Sequence, residues 1–474
     1  MDFLSLGVGL LVAGGLFFAS LRSWRTGLYG LLIYLPFAGL ISLRMGQSTL
    51  SLLAKDLMFV LPAYFSFFFL ERYPIQRTRL PGIFVAGMAM LTIIVLLQAA
   101  NPNLPNLLVP LIGIKVWLLY LPLAFLSAAI INDVEDLNKL LRMLVLISVI
   151  PLAVGFLQRV GVEILGRETV VQALYGSSFD SERYTLFTGF EDYGGDLGGT
   201  LYRINATFSA GGQYVLYLLT MVPVCLTLSM IERNKRWRLF AQVMTVAAIV
   251  AAVLSGSRGA AVFLPAVIVP ALILQRKISA LLLWSLIGCV AYVVSLTYSG
   301  IDVGVMLDFV WDYTFYNVQG FGAGQLFNTF MDHPLGMGTG MNTGSARYAF
   351  LNEDVAAGVL SGLEVYYAKT IAELSLIGLI PVAIILGAPL IFSIKTALSG
   401  GSANARLLAA GLSGFFLMVI IVSYKAWPLD ADPINVMFWV LAGALYKAGF
   451  IGGSAIARSH PVAGRLGKEL SPAQ

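Results

Sequence analysis

Arg258 stands where an arginine is costly. The run Ser255-Gly256-Ser257-Arg258-Gly259-Ala260 interrupts an apolar stretch that begins near Leu239 and resumes as far as Leu274. A charge at membrane depth faces a cavity or a partner and marks function. The small residues around it admit a close approach of another backbone, and a guanidinium so held suits a bidentate grip on phosphate or carboxylate. Arg203, in Leu201-Tyr202-Arg203-Ile204-Asn205-Ala206-Thr207-Phe208, precedes a further apolar run. Two arginines converging at one face would clamp a diphosphate and neutralise a leaving group without a metal. The competing reading of Arg203 is snorkelling from a helix end. It is weaker for Arg258, whose Gly and Ser neighbours offer a snorkelling stem no apolar landing.

Glu364 and Glu373 lie in Leu363-Glu364-Val365-Tyr366-Tyr367-Ala368-Lys369-Thr370-Ile371-Ala372-Glu373. Glu364 falls near a helix start, where the macrodipole favours an anion. It reads either as a plain helix-start glutamate or, facing a bound sugar, as general base on a hydroxyl. Glu373 is deeper and needs a partner, Lys369 at i−4 or an arginine. Lys55-Asp56 reads as a self-compensating pair near the surface. Lys115 follows Asn101-Pro102-Asn103-Leu104-Pro105-Asn106, a pattern that allows a re-entrant element. Lys425, Asp430 and Asp432 share one late turn, and His333 precedes a proline. A lone loop histidine is more often structural than catalytic.

The elements that must position these residues follow from composition. Of 474 residues, 58% are hydrophobic and only 12% charged, where a soluble protein would carry roughly 25%. The chain therefore reads as an all-α polytopic membrane protein built from segments of about 20 residues, helical because each span must satisfy its own backbone in lipid. Spans are expected over 3–21, 27–43, 51–70, 82–98, 110–131, 140–158, 208–231, 239–255, 259–275, 279–298, 367–394, 405–423 and 434–449, thirteen in all with a range of 12–14. The first lacks a basic start and a small-residue cleavage site, so it reads as a retained helix. The net charge of +5 reads as topology, because basic residues cluster in short loops. Placing Arg22–Arg25 inside also puts there Arg72, Arg77 and Arg79, Lys139 and Arg142, Arg233 to Arg238, Arg276 and Lys277, Lys395 and Arg406, and the tail. The N-terminus then lies outside and the C-terminus in the cytoplasm. The Arg258 turn shares the outer face with two long loops.

The transmembrane domain covers 1–449, with outer loops at 159–207 and 299–366, and a Gly/Ala/Ser-rich tail over 450–474 that reads as disordered. The 299–366 loop is too long for a bare connector and reads as an ordered lid with short helices. The 159–207 loop carries Asp180, Glu182, Glu191, Asp192 and Asp196 among Tyr175, Phe179, Tyr184, Phe187, Phe190 and Tyr193. That mix suits sugar faces and hydroxyls, or an ordinary solvated loop. Cys225 and Cys289 fall inside apolar segments and form no CxxC pair, His333 and His460 are far apart, and neither a metal cluster, a phosphate loop nor an internal repeat is visible.

These motifs, in this order, resemble those of the O-antigen ligase and O-antigen polymerase family of bacterial envelope glycosyltransferases, over roughly residues 26–450. The Ser255–Ala260 stretch looks like the family's Ser-Arg-Gly signature. Arg203 with Ala206-Thr207-Phe208 is similar to its Arg-x-x-Gly-x-Phe element, with Ala206 at the glycine. His333-Pro334-Leu335-Gly336-Met337-Gly338 looks like Pro-x-x-Gly-x-Gly, one residue tighter. Glu373-Leu374-Ser375-Leu376-Ile377-Gly378 is similar to Glu-x-Gly-x-x-Gly, with Ser375 at the first glycine. Family ligases carry a histidine about nine residues before that glutamate; Glu364 stands there instead, which favours a polymerase or a specialised exopolysaccharide enzyme over a lipid A-core ligase.

The resemblance implies a GT-C-like helical glycosyltransferase at the periplasmic face of a bacterial inner membrane. The donor would be a glycan on polyprenyl (undecaprenyl) diphosphate, the acceptor a glycan or lipid hydroxyl, the transfer inverting and metal-independent, with no cofactor. Catalytic roles would fall to Glu364, Arg258 and Arg203, and substrate binding to Ser257, Lys115, His333, Glu373 and Lys425. A chain-length regulator or an envelope assembly complex is an expected partner, nucleic acid is not. The rival readings are an O-antigen ligase, a transporter or flippase of a lipid-linked glycan, and a non-catalytic member of an envelope complex. A transporter would gather its charges near the midplane between repeats.

Overall fold

The computed structural model describes residues 3–46, 49–176, 202–276, 278–298, 322–342, 363–399 and 402–459, with a few isolated positions over 302–311; at some helical positions, Arg258 among them, it describes the backbone alone. The elements are α1 (Phe3–Arg22), α2 (Trp24–Arg44), α3 (Leu50–Leu70), α4 (Gly82–Gln98), α5 (Leu108–Ile130), α6 (Val134–Leu165), α7 (Arg167–Tyr175), α8 (Gly211–Ile231), α9 (Lys235–Leu254), α10 (Arg258–Leu274), α11 (Ile278–Tyr298), α12 (Ala323–Asp332), α13 (Tyr366–Ser399), α14 (Ala403–Val422) and α15 (Ile434–Ser459). Among the described residues there is no strand. Nine of these helices are long and apolar enough to cross a membrane, namely α2, α3, α5, α6, α8, α9, α13, α14 and α15. The other four expected spans fall on α1, α4, α10 and α11. The protein is therefore an all-α polytopic membrane protein. The tail departs from expectation: α15 continues past 449 to Ser459, while 460–474, His460 included, lie outside the described residues.

Helix is imposed by the lack of any other backbone partner in lipid; interior prolines at 151, 223, 265, 270, 381 and 389 are accommodated where neighbouring protein groups and local helix adjustments can take up the freed carbonyls. Small residues set the packing. A Cβ on Gly414 of α14 would lie 1.8 Å from the Val267 carbonyl oxygen of α10, and one on Gly443 of α15 would lie 2.2 Å from that of Ala124 in α5. Around these crossings Phe415, Phe416, Phe438 and Trp439 form a buried aromatic run.

The polarity of the bundle follows from its ends. α8 stops at Glu232, whose carboxylate accepts from Arg142 of α6 at 2.6 Å. The entrance to α6 and the first turn of α14 (Asn404, Ala405) line one small cavity with the end of α15. α8 thus runs toward this end, α14 runs away from it, and α10, two short turns after α8, runs parallel to α8. Val267 lies nine residues after Arg258, and Gly414 nine residues before Ser423. Each stretch is about 13 Å of helix, so the start of α10 comes level with Ser423. The Tyr366 N–H donates to the Ser423 carbonyl at 2.9 Å, which brings the start of α13 to the same level.

Candidate functional site

At that end, the segment before α8 and the turn before α10 are locked backbone to backbone. The Ile204 N–H donates to the Ser255 carbonyl at 2.9 Å. Gly256 has φ 73°, and a Cβ there would lie 2.4 Å from the Tyr202 carbonyl oxygen and 3.2 Å from the Arg203 Cα. Only glycine satisfies both the left-handed backbone and the gap. Ser257 is the residue before α10, half-buried, with no capping hydrogen bond from its side chain. Arg203 is half-buried, and its Cβ lies 3.4 Å from where a Cβ on Gly211 would stand, at the first turn of α8. Arg258 opens α10; its side chain lies outside the described residues. The segment carrying Arg203 thus meets the turn that leads through Ser257 into Arg258, two stretches of irregular chain joined by the Ile204–Ser255 hydrogen bond and the close approach at Gly256.

Glu364 and Lys425 form a second group. They are joined in a close ion pair through Glu364 Oε2, with side chains 52% and 31% exposed. The N–H groups of Glu364 and Val365 both donate to Gln325 Oε1 of α12, at 3.2 and 3.3 Å. Glu364 thus sits just before α13, exposed, at the level of the Arg258 turn, with a cation on one carboxylate oxygen.

Glu373 has a different role from the expected substrate contact. Its side chain is fully enclosed. Oε2 accepts from Trp117 Nε1–H at 2.7 Å and the Gly340 N–H at 2.9 Å, and Oε1 accepts from the Asn342 N–H at 2.9 Å. The carboxylate therefore clamps the loop after His333, which also gives its Met337 N–H to the Ala372 carbonyl and its Thr339 hydroxyl to that of Val95. At Gly340, φ is 94° and a Cβ would lie 2.3 Å from the Val109 carbonyl oxygen, so this loop is wedged against the start of α5. Because α12 meets Glu364 at Gln325 and the loop meets Ser375 at Gly336, His333 is carried along α13 away from Glu364. Gly336, three residues past His333, comes level with Ser375, and α12 itself carries His333 eight residues beyond Gln325, about 12 Å of helix. The half-buried His333 gives its N–H to the Thr329 carbonyl as it ends α12.

The deeper charges pair with one another. Lys369, also fully enclosed, forms a close ion pair with Asp430 and lies 3.9 Å from Glu373 Oε1. Its ammonium sits 4.7, 5.4 and 5.8 Å from the ring centres of Trp117, Trp427 and Tyr366, an aromatic cage for a cation. Lys55 and Asp56 are 3.7 Å apart, and each has a nearer partner. Lys55 lies 3.1 Å from Asp432, Lys115 lies 2.8 Å from Asp56, and the Tyr120 hydroxyl accepts from Lys55 at 2.5 Å and donates to Asp56 at 2.8 Å. A π-helical turn over Asp56–Val60 turns this part of α3 inward. The self-compensating pair is thus a five-residue network. Lys115, expected to bind substrate, keeps partial exposure in it, as does Asp432. Buried charges of both signs cancel here, as their desolvation requires.

Sequence reading missed Asp430 and Asp432 as the links between these networks, and Trp117, Tyr120, Gln325 and Asn342 altogether. Two acids in one polar turn and a lysine at i−4 from Glu373 were visible signals. For Tyr120 and Trp117, partners 64 and 256 residues away, there was none. Of the loop aromatics read as suited to sugar faces or as part of an ordinary solvated loop, Tyr175 is buried and donates its hydroxyl to the Ala206 carbonyl at 3.0 Å. It packs the protein instead. The other aromatics and acids named in that loop lie outside the described residues.

No known family model matches the chain, and no curated protein matches it.

Proposed function

We propose that the chain is a membrane glycosyltransferase that polymerises or transfers a glycan carried on a polyprenyl diphosphate. On this reading all thirteen helical segments span a bacterial inner membrane in a GT-C-like arrangement, with the Arg203–Arg258 turn at the periplasmic face, the N-terminus outside and the C-terminus in the cytoplasm. The observation that carries it is the mutual backbone lock of Tyr202–Ile204 with Ser255–Gly256, which brings two arginines distant in sequence to one turn, level with Glu364. A second feature supports the motif assignment. Five non-glycine residues among those described have positive φ, and two of them, Ala206 (51°) and Ser375 (66°), stand where the resembled elements carry glycine.

The chemistry follows from these positions. Arg203 and Arg258 hold the diphosphate and stabilise its charge as the bond from the anomeric carbon to the phosphate oxygen breaks. The acceptor hydroxyl oxygen forms the new bond from the opposite side, which inverts the anomeric centre. Its proton passes to the Glu364 carboxylate, which Lys425 orients, and the lipid diphosphate leaves. The α12 segment and the loop clamped by Glu373 form the floor that keeps water from the donor.

Incubation of the purified protein with a lipid-diphosphate glycan in EDTA tests the reading. Growth of the glycan shows a polymerase, and transfer only to a different acceptor shows a ligase. Loss of all activity in EDTA overturns the metal-independent mechanism, and an Arg258→Ala variant that retains full synthesis overturns the enzyme reading in favour of a non-catalytic assembly role.

A further inference from the structure

The end of the bundle opposite the Arg203–Arg258 turn holds a polar cavity that glycan transfer does not use. Its volume is ≈ 340 Å³, and Tyr73, Arg77, Arg79, Asn132, Lys447 and Phe450 line it. Its place is set by two helices that leave the buried charge network. Lys447 lies thirteen residues into α15 from Ile434, and Leu70 lies fifteen residues along α3 from Lys55, each about 20 Å of helix.

The cavity is a built feature. Arg77 belongs to a single 3-10 turn over Ile75–Thr78, which the buried Thr78 closes by donating its hydroxyl to the Ile75 carbonyl at 2.6 Å. Lys447 Nζ donates to the Arg77 carbonyl at 2.7 Å, which ties α15 to that turn. Arg79 follows in a left-handed backbone, φ 57°, and turns the chain into α4. Three cations thus face one space, and Arg79 and Lys447 repel each other across it. Among the described residues no carboxylate forms an ion pair with any of the three. Asp136, which borders Asn132, is engaged by the Asn132 amide at 3.2 Å and by Lys139 at 3.5 Å. This contrasts with the other end, where every enclosed lysine has an acid beside it. Arg77 and Arg79 are exposed and Lys447 is half-buried, so the cost of bringing these like charges together is softened by solvent, and a bound anion would relieve it.

We infer that this cavity is an anion site that takes a phosphate group, offering two guanidinium forks and one ammonium to its oxygens. Phe450, 39% exposed, and Ile451 give it an apolar border. A phospholipid headgroup at the membrane interface and a free diphosphate share the chemistry, and basic pockets between helices are suited to the former.

The purified chain, titrated with short-chain phosphatidylglycerol, with short-chain phosphatidylcholine and with inorganic pyrophosphate, and followed by tryptophan fluorescence, tests this. Phosphatidylglycerol bound in preference to phosphatidylcholine assigns the site to anionic lipid; pyrophosphate bound assigns it to a soluble phosphate. In either case the combined variant Arg77→Gln, Arg79→Gln, Lys447→Gln binds about tenfold more weakly or worse, and added salt weakens the wild type. Should that variant unfold, Arg79→Gln alone, which removes no hydrogen bond of the fold, weakens binding about threefold. Equal affinity in wild type and variant, or neither phosphatidylglycerol preference nor pyrophosphate binding, overturns the inference. Glycan transfer at the other end is read separately and is expected unchanged in Arg79→Gln.

Discussion

At the residue scale, Arg258 and Glu364 carry the sharpest expectations. Arg258→Ala is expected to lower the rate of glycan transfer by about 10²–10³-fold, the usual cost of losing a preorganised donor to developing charge. Arg258→Lys, a point charge without the fork, falls between. Glu364→Gln is expected to lower it by about 10²–10⁴-fold, measured with the same lipid-diphosphate donor; a rate within a factor of two of wild type removes Glu364 as base. Backbone conformation gives an expectation that does not depend on any activity. Ser375 (φ 66°, ψ 177°) occupies a region open essentially to glycine, and Ala206 (φ 51°) is left-handed. Ser375→Gly and Ala206→Gly are each expected to stabilise the fold by about 1 kcal/mol. Thermal unfolding in detergent reads this as a raised midpoint, and a lowered one in both variants contradicts it.

Two ion pairs at opposite ends make the element-scale expectations. Lys369→Met leaves Asp430 and Glu373 enclosed without their cation, a loss of about 3–5 kcal/mol. Adding Asp430→Asn is expected to restore part of it, because the partner's charge goes too. At the other end, Glu232 joins α8 to α6 through Arg142. Burial pushes its carboxyl up, but the Arg142 hydrogen bond, the backbone N–H groups and the Arg142 charge together outweigh burial and hold it below the ordinary 4.5. A carboxyl depressed by folding contributes stability above its unfolded value and loses it as pH falls through the folded value. Glu232→Gln is therefore expected to lower the unfolding midpoint near pH 7, with the difference from wild type shrinking below pH 4.5. A difference constant from pH 7 down to pH 3 contradicts the linkage.

For the whole molecule, the charge distribution implies an axis. One end holds the arginine turn and enclosed lysines paired with acids, and the other holds a cavity where three cations converge with no ion-paired acid among the described residues. In a Cys225→Ala, Cys289→Ala background, a cysteine at exposed Tyr424 is expected to react with a membrane-impermeant maleimide in intact cells, and one at Arg77 only after permeabilisation. Labelling of both from one side refutes the proposed topology.

Sequence periodicity and composition determined the helices, because lipid leaves the backbone no partner but itself; all thirteen expected spans fall on helices. The Arg258 turn and the cost of a charge there were legible for the same reason, and Lys369 was legible as a partner of Glu373 through helical spacing. What Glu373 holds was not legible: its clamp on Gly340 and Asn342 joins residues over thirty positions apart through backbone N–H groups that any sequence would supply. Nor did the sequence show that Asp430 and Asp432, one residue between them, reach two different networks, or that Arg77, Arg79 and Lys447 share a cavity. Helices follow from local chemistry, whereas a site depends on which helix ends come level. Only tertiary packing, through close crossings such as Gly414 on Val267, decides that.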